Sequence, residues 1–267
     1  MKSNLRFEFL YQVFALFLAA IVVHAVYVTV VRPAAEEDLA RQRELAAQIE
    51  DYVPDRSIFV VLRDFEQETC FVLMFWAIAI MGFKARGAMT ERNLLTRSLV
   101  PVPEGISVLP EDAREYMRPL QALDDTEREF LLPRTLLGAL QRFASTRNVQ
   151  DVSEAVRAIC EAESDRLDSE LSMVRYIAWA IPSIGFIGTV RGIGDALGQA
   201  NRAVEGDIAG VTESLGVAFN STFIALVISI VIMFLMHQLQ LLQDRLVLDS
   251  QAYADSRLIR HLQVRGS

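Results

Sequence analysis

Residues 176–193 read Tyr-Ile-Ala-Trp-Ala-Ile-Pro-Ser-Ile-Gly-Phe-Ile-Gly-Thr-Val-Arg-Gly-Ile, and residues 219–236 read Phe-Asn-Ser-Thr-Phe-Ile-Ala-Leu-Val-Ile-Ser-Ile-Val-Ile-Met-Phe-Leu-Met. Each approaches the roughly 20 apolar residues that a helix needs to cross about 30 Å of hydrocarbon. Each also carries a stripe of small residues. Gly185, Thr189, Gly192 and Ala196 follow one another at spacings of four, three and four, and Ala218, Thr222, Ala225 and Ser229 repeat the pattern. Residues so spaced share one helix face. Small faces let helix backbones approach closely in a bilayer, and a threonine can return its hydroxyl to a carbonyl one turn back. Such faces also suit a pore filled by another helix, where a threonine on each offers an ion or water a partner. Asn220 and Ser221 add polarity beside Thr222.

Two further apolar runs complete the pattern. Phe7–Val31 follows Lys2 and Arg6 but is too long for a secretory signal and lacks a small-residue cleavage site after it, so it reads as a retained span. Cys70–Phe83 is short enough to suggest an interfacial helix. Lys84, Arg86, Arg92 and Arg97 follow it, whereas Glu36, Glu37, Asp38, Glu50, Asp51, Asp55, Asp64, Glu66 and Glu68 precede it. Basic residues mark the cytoplasmic flank of a span, which makes this run a short second crossing. The expected fold is therefore all-α, a polytopic membrane protein with about four transmembrane helices, two of them extended into the cytoplasm.

The expected organisation is two peripheral transmembrane helices in 1–83 with an acidic periplasmic loop at 32–69, a cytoplasmic helical insert at 84–170, and a channel segment at 171–267. Pro101, Pro103, Gly105 and Pro110 open the insert. Asp124 or Asp125 is placed to cap a helix running through Arg142. A helix starting near Asp151 or Ser153 meets no breaker before Pro182, and should run unbroken into the third span. Leu235, Leu239, Leu242, Leu246 and Tyr253 continue the fourth span inward as an amphipathic stripe, partnered by residues 151–175 or by a neighbouring subunit. Both termini then face the cytoplasm across a bacterial inner membrane. The closing Gly266-Ser267 reads as an added tail, in which case the natural chain is expected to continue further.

Composition narrows the chemistry. A net charge of -8 argues against binding nucleic acid, which needs clustered Lys and Arg. Cys70 and Cys160 lie in contrasting segments and are not expected to pair. No nucleophile elbow, phosphate loop, carboxylate pair or metal-ligand spacing appears, so neither an enzyme, a metal site nor a cofactor is expected. Gly192-x-Gly194 sits in a membrane helix and lacks the strand that a dinucleotide site requires. Proton relays through hydrocarbon normally use a carboxylate or histidine, and neither the third nor the fourth span holds Asp or Glu near its centre. A partner must bring the titrating group. Arg191 and Asp195, four apart, read as an interfacial ion pair or an entrance gate. His24 stands alone in the first span, as a neutral hydrogen-bonding imidazole or a relay.

The segment Ala180-Ile-Pro-Ser-Ile-Gly-Phe-Ile-Gly-Thr-Val-Arg-Gly-Ile193 resembles the proline-started Gly-x-x-Gly-Thr-Val-x-Gly signature of the MotA/TolQ/ExbB proton-channel family. Leu215-Gly-Val-Ala-Phe-Asn-Ser-Thr-Phe223 resembles that family's other pore helix, and the likeness covers roughly residues 172–245. It implies an ion-driven motor or stator subunit, a homopentamer around a dimer of a MotB/TolR/ExbD-like single-span protein whose membrane Asp carries the ion. Thr189 and Thr222 fall on the pore threonines and Pro182 on the helix-start proline, where it would kink the helix. The ion pathway then comprises Thr189, Thr222, Ser221, Asn220 and Ser229, with Gly185, Gly192, Ala196, Ala218 and Ala225 packing the pore face. Four spans match flagellar stators, whereas the Gly-Thr-Val-x-Gly string is closer to TolQ and ExbB. A phage-defence motor of the Zorya type is an alternative branch, and a non-conducting scaffold an alternative function. Threonine hydroxyls suit translocated H+ or Na+ equally.

Overall fold

The computed structural model describes residues 2–49, 57–103, 106–204 and 208–264. Glu50, Asp51, Asp55, Gly105 and Gly266-Ser267 lie outside the described residues, as do the side chains of Lys2 and Arg6. In chain order the α-helices are α1 (Lys2–Val26), α2 (Arg32–Gln48), α3 (Ile58–Leu62), α4 (Phe65–Arg92), α5 (Ala113–Gln121), α6 (Asp125–Arg128), α7 (Leu131–Thr146), α8 (Val149–Glu170), α9 (Ser172–Gly198), α10 (Ala200–Val204) and α11 (Ala209–Arg257). Among the described residues no strand forms, only a parallel bridge between Val108 and Leu262. Four helical stretches are long and apolar enough to cross a membrane: Phe7–Leu45, Phe65–Thr96, Val149–Gly198 and Gly210–His261. The chain is thus an all-helical, multi-pass membrane protein.

Contacts divide it into two compact units, Met1–Met81 with Met173–Met236, and Gly82–Ser172 with His237–Ser267. Residues 237–264, grouped by sequence with the channel segment, therefore associate with the insert.

In the first unit, α1 passes through a π turn, Tyr27–Val31, directly into α2. Pro33 in the first turn of α2 cannot donate a backbone hydrogen bond to the preceding turn, and a π bulge is a common local accommodation. Residues 32–48 are consequently helix where the sequence reading placed a loop. The apolar run Cys70–Phe83 is the middle of the 28-residue α4. At 1.5 Å per residue that helix is about 42 Å long, so the short run does not limit the crossing. Phe9, Phe14, Phe17 and Ile21 on α1 stay exposed, as suits contact with lipid.

The second unit has a conventional apolar core. Leu120 of α5, Leu136, Leu140 and Phe143 of α7, and Val152 and Val156 of α8 are buried together, with Val247, Ala254, Leu258 and Leu262 closing it. The amphipathic stripe of the last helix is thereby covered inside the chain: Leu239 and Leu246 are buried, while Leu235 remains exposed. Asp124 caps α6, accepting from Glu127 N at 2.6 Å, and Asn148 caps α8, accepting from Gln150 N at 2.9 Å. Buried Glu163 lies between Arg134 at 2.5 Å and Arg166 at 2.6 Å. The expected unbroken helix from 151 has one turn residue, Leu171, between α8 and α9. Cys70 and Cys160 are both free and buried.

Arg147 ends α7 in the left-handed region at φ 53°. That conformation suits glycine, and the exposed Arg147–Glu111 pair at 4.0 Å adds little to offset it. Arg147→Gly is expected to stabilise the protein by roughly 0.5–1 kcal/mol, read as a raised thermal midpoint in detergent.

Candidate ion pathway

The two small-residue stripes meet each other within one chain. Gly185, Gly192, Ala196, Ala218 and Ala225 are all buried. A Cβ built on Gly185 would lie 2.5 Å from Ala225 Cβ, and one on Gly192 would lie 2.7 Å from both Ala218 N and Ser214 O. The backbones of α9 and α11 therefore approach as closely as only glycine and alanine permit.

A cluster of hydroxyls sits in this seam. Thr222 Oγ1 lies 3.0 Å from Gly185 O and Thr189 Oγ1 3.0 Å from Ala218 O, and the two threonine hydroxyls are within hydrogen-bonding distance of each other. Buried Ser221 donates to Ala218 O at 3.0 Å or Gly185 O at 3.3 Å. Each hydroxyl has one proton to give. Either threonine can therefore donate to the other, and two donor patterns fit the same atoms. Both threonines are half-buried and keep one side open. The structure thus brings Thr189, Thr222 and Ser221 together, whereas Asn220 is half-buried and joins no hydrogen bond of the cluster among the described residues.

Ser229 belongs elsewhere. Pro182 lies inside α9, which begins at Ser172, so the proline does not start the helix. Without an N–H it cannot bond to the Ala178 carbonyl one turn back, and Ser229 Oγ donates to that carbonyl at 3.0 Å. A neighbouring hydroxyl re-satisfying a carbonyl freed by proline is how membrane helices tolerate the residue. Ser229→Ala should cost about 1–3 kcal/mol by orphaning Ala178 O. In a Pro182→Ala background, where residue 182 regains its N–H, the same change should cost below about 0.5 kcal/mol. Thermal unfolding of the four variants in detergent measures this cycle.

The expected Arg191–Asp195 pair does not form. The Arg191 guanidinium instead grips Glu66 of α4 with both arms, Nε to Oε1 at 2.8 Å and Nη2 to Oε2 at 2.9 Å, and lies 4.9 Å from the centre of the Phe65 ring. Asp195 is exposed. A planar fork prefers a bidentate carboxylate to a same-helix partner four residues on. Asp64 stands 3.9 Å from Arg191 and 3.7 Å from Arg63; burial raises its carboxyl above the usual range, with both arginines opposing. His24 is not alone either. Its Nδ1 lies 2.7 Å from Glu68 Oε1, and Arg32 reaches Glu68 Oε2 at 2.5 Å. Sequence reasoning missed Glu66 and Glu68 as site residues because it assigned them to a loop. Their place one turn before Cys70, where the helix begins, was the available signal.

Fold and seam together define a multi-pass helical membrane protein whose paired small-residue helices enclose a hydroxyl cluster. Residues 127–252, a little under half of the chain, match the family model described as the MotA/TolQ/ExbB proton channel family, and this segment is similar to members of that family. The match reaches upstream of the seam into α6, further than the motifs alone. This is a family of channel and motor subunits that act with a partner protein, not a known enzyme family. No curated protein and no solved structure matches the chain.

Proposed function

We propose that this chain is the pore-forming subunit of an ion-driven motor of the bacterial inner membrane. Five copies surround a dimer of a MotB/TolR/ExbD-like single-span protein, and ion flow, most simply of protons, turns into mechanical work on that partner. The observation that carries the reading is the Thr189–Thr222 hydroxyl pair, half-buried in a seam whose two helices supply no carboxylate of their own. The sequence has no Asp or Glu between Met173 and Gly194 or between Ser214 and Gln243. A hydroxyl pair can solvate a carboxylic acid or a carboxylate but cannot itself take up and release the ion. A membrane Asp on the partner completes the pathway, docking at the open side of the threonines and exchanging its ion there. No cofactor takes part; the translocated ion is the cargo.

A scaffold without conduction is the second reading, favoured by the packing of both stripes against each other inside one chain. Proton flux into liposomes separates the two. The full chain co-reconstituted with its single-span partner should acidify the lumen under an applied potential, and the partner's Asp→Asn variant should not. Absence of flux with the native partner would sink the motor and leave the scaffold.

A further inference from the structure

Glu66 is a carboxylate at 1% side-chain exposure on a helix that belongs to neither pore stripe, and its partner Arg191 is 36% exposed. A buried ion pair is weak grounds for stability, because apolar residues of the same volume commonly serve as well or better. What the pair does supply is a fixed geometry: two parallel hydrogen bonds tolerate neither sliding nor rotation of one helix against the other.

The location gives that geometry its use. Arg191 lies three residues from Gly188, on the same helical face. The glycine is held between two side chains, since a Cβ built there would lie 3.2 Å from Glu66 Cγ on one side and 2.6 Å from Ser221 Cβ on the other. Gly188 immediately precedes Thr189, and Ser221 immediately precedes Thr222. A second contact between α4 and α9 is made farther along, where Cys70 Sγ approaches Ile181 O at 3.8 Å. Helix α4 therefore braces α9 at two levels, and the upper brace is the charged one.

We infer that Glu66 and Arg191 are positioning residues of the ion pathway: by fixing the axial register and rotation of α9 against α4 at the level where Gly188 meets Ser221 of α11, the pair keeps the Thr189 and Thr222 hydroxyls within hydrogen-bonding distance. The inference rests on the motor reading for its functional meaning, but the register itself is testable without any partner. The clamp also explains why a guanidinium stands two residues from a pore threonine. Its charge is spent on a neighbouring helix of the same chain and does not face the moving ion.

The test uses the full chain in membranes, with Cys70→Ala and Cys160→Ser and a reporter pair, Thr189→Cys with Thr222→Cys. Copper-phenanthroline should oxidise the reporter pair efficiently when Glu66 and Arg191 are native. Replacing both by methionine removes the buried charges together, so the thermal midpoint should hold or rise while the disulfide yield falls at least threefold. Arg191→Lys, which keeps the charge but offers a single point of contact, should lower the yield at least twofold and provides an independent variant should the double methionine chain fail to accumulate. Native disulfide yield in either variant would overturn the inference, as would a yield that merely tracks the thermal midpoint. In liposomes with the partner, Glu66→Gln should cut flux at least fivefold. Undiminished flux there would refute the clamp alone, whereas absent flux in the native chain would refute the motor reading and leave the disulfide result standing.

Discussion

Thr222→Val will abolish ion-driven work while leaving the chain folded and assembled. The exchange keeps the β-branched shape and removes one hydroxyl. The folded chain loses a hydrogen bond to Gly185 O, but that carbonyl still has Ser221 Oγ at 3.3 Å and Thr189 Oγ1 at 3.4 Å, so no buried acceptor is orphaned. The stability cost should stay near 0.5–1.5 kcal/mol, that of a single replaceable hydrogen bond. The ion pathway loses more. A carboxyl group passing through an apolar seam without its hydroxyl partner meets an added penalty of about 1–3 kcal/mol, which lowers passage by roughly 5- to 150-fold. Flux into liposomes, read beside the size of the detergent-extracted complex, checks both halves. Native flux in Thr222→Val would remove the threonine from the mechanism, and loss of the complex would show the seam to be structural first.

The spans were legible because hydrocarbon leaves so few options. A run of apolar residues must be a helix there, and spacings of three and four put Thr189 and Thr222 on small faces without any coordinates. Whether those faces looked outward or at each other could not be read, since close packing and pore lining demand the same small residues. Helix ends were harder. Charged residues at the start of α4 read as loop, yet Glu66 and Glu68 are accommodated in the helix because Arg191 and Arg32 donate hydrogen bonds to them from other helices and His24 pairs with Glu68. Such pairings join positions 125 residues apart for Arg191 and Glu66, beyond the reach of any periodicity. Ser229 shows the same limit. Its spacing from Thr222 suggested the ion path, but its partner was set by Pro182 on the facing helix.

Gly192→Ala is expected to separate the two pore helices and stop conduction. A Cβ at this position would meet Ala218 N and Ser214 O at 2.7 Å and Ala218 Cβ at 2.8 Å. None of these atoms can rotate away, because two are backbone and the third is fixed to it. The helices must move apart by several tenths of an ångström or more, and overpacking of this kind costs typically 1–3 kcal/mol. Thr189 lies less than one turn from Gly192, so the same displacement pulls its hydroxyl from Ala218 O and from Thr222. Gly194 provides the contrast within the same helix, since a Cβ there meets nothing within 4 Å. Gly194→Ala should leave the seam intact and stabilise α9 by roughly 0.5–1 kcal/mol through helix propensity. Thermal midpoints of the two variants should therefore move in opposite directions, with flux lost only in the first. Equal midpoints would mean that α9 and α11 are not held together at Gly192, and the hydroxyl pair would then lack the close approach on which its geometry depends.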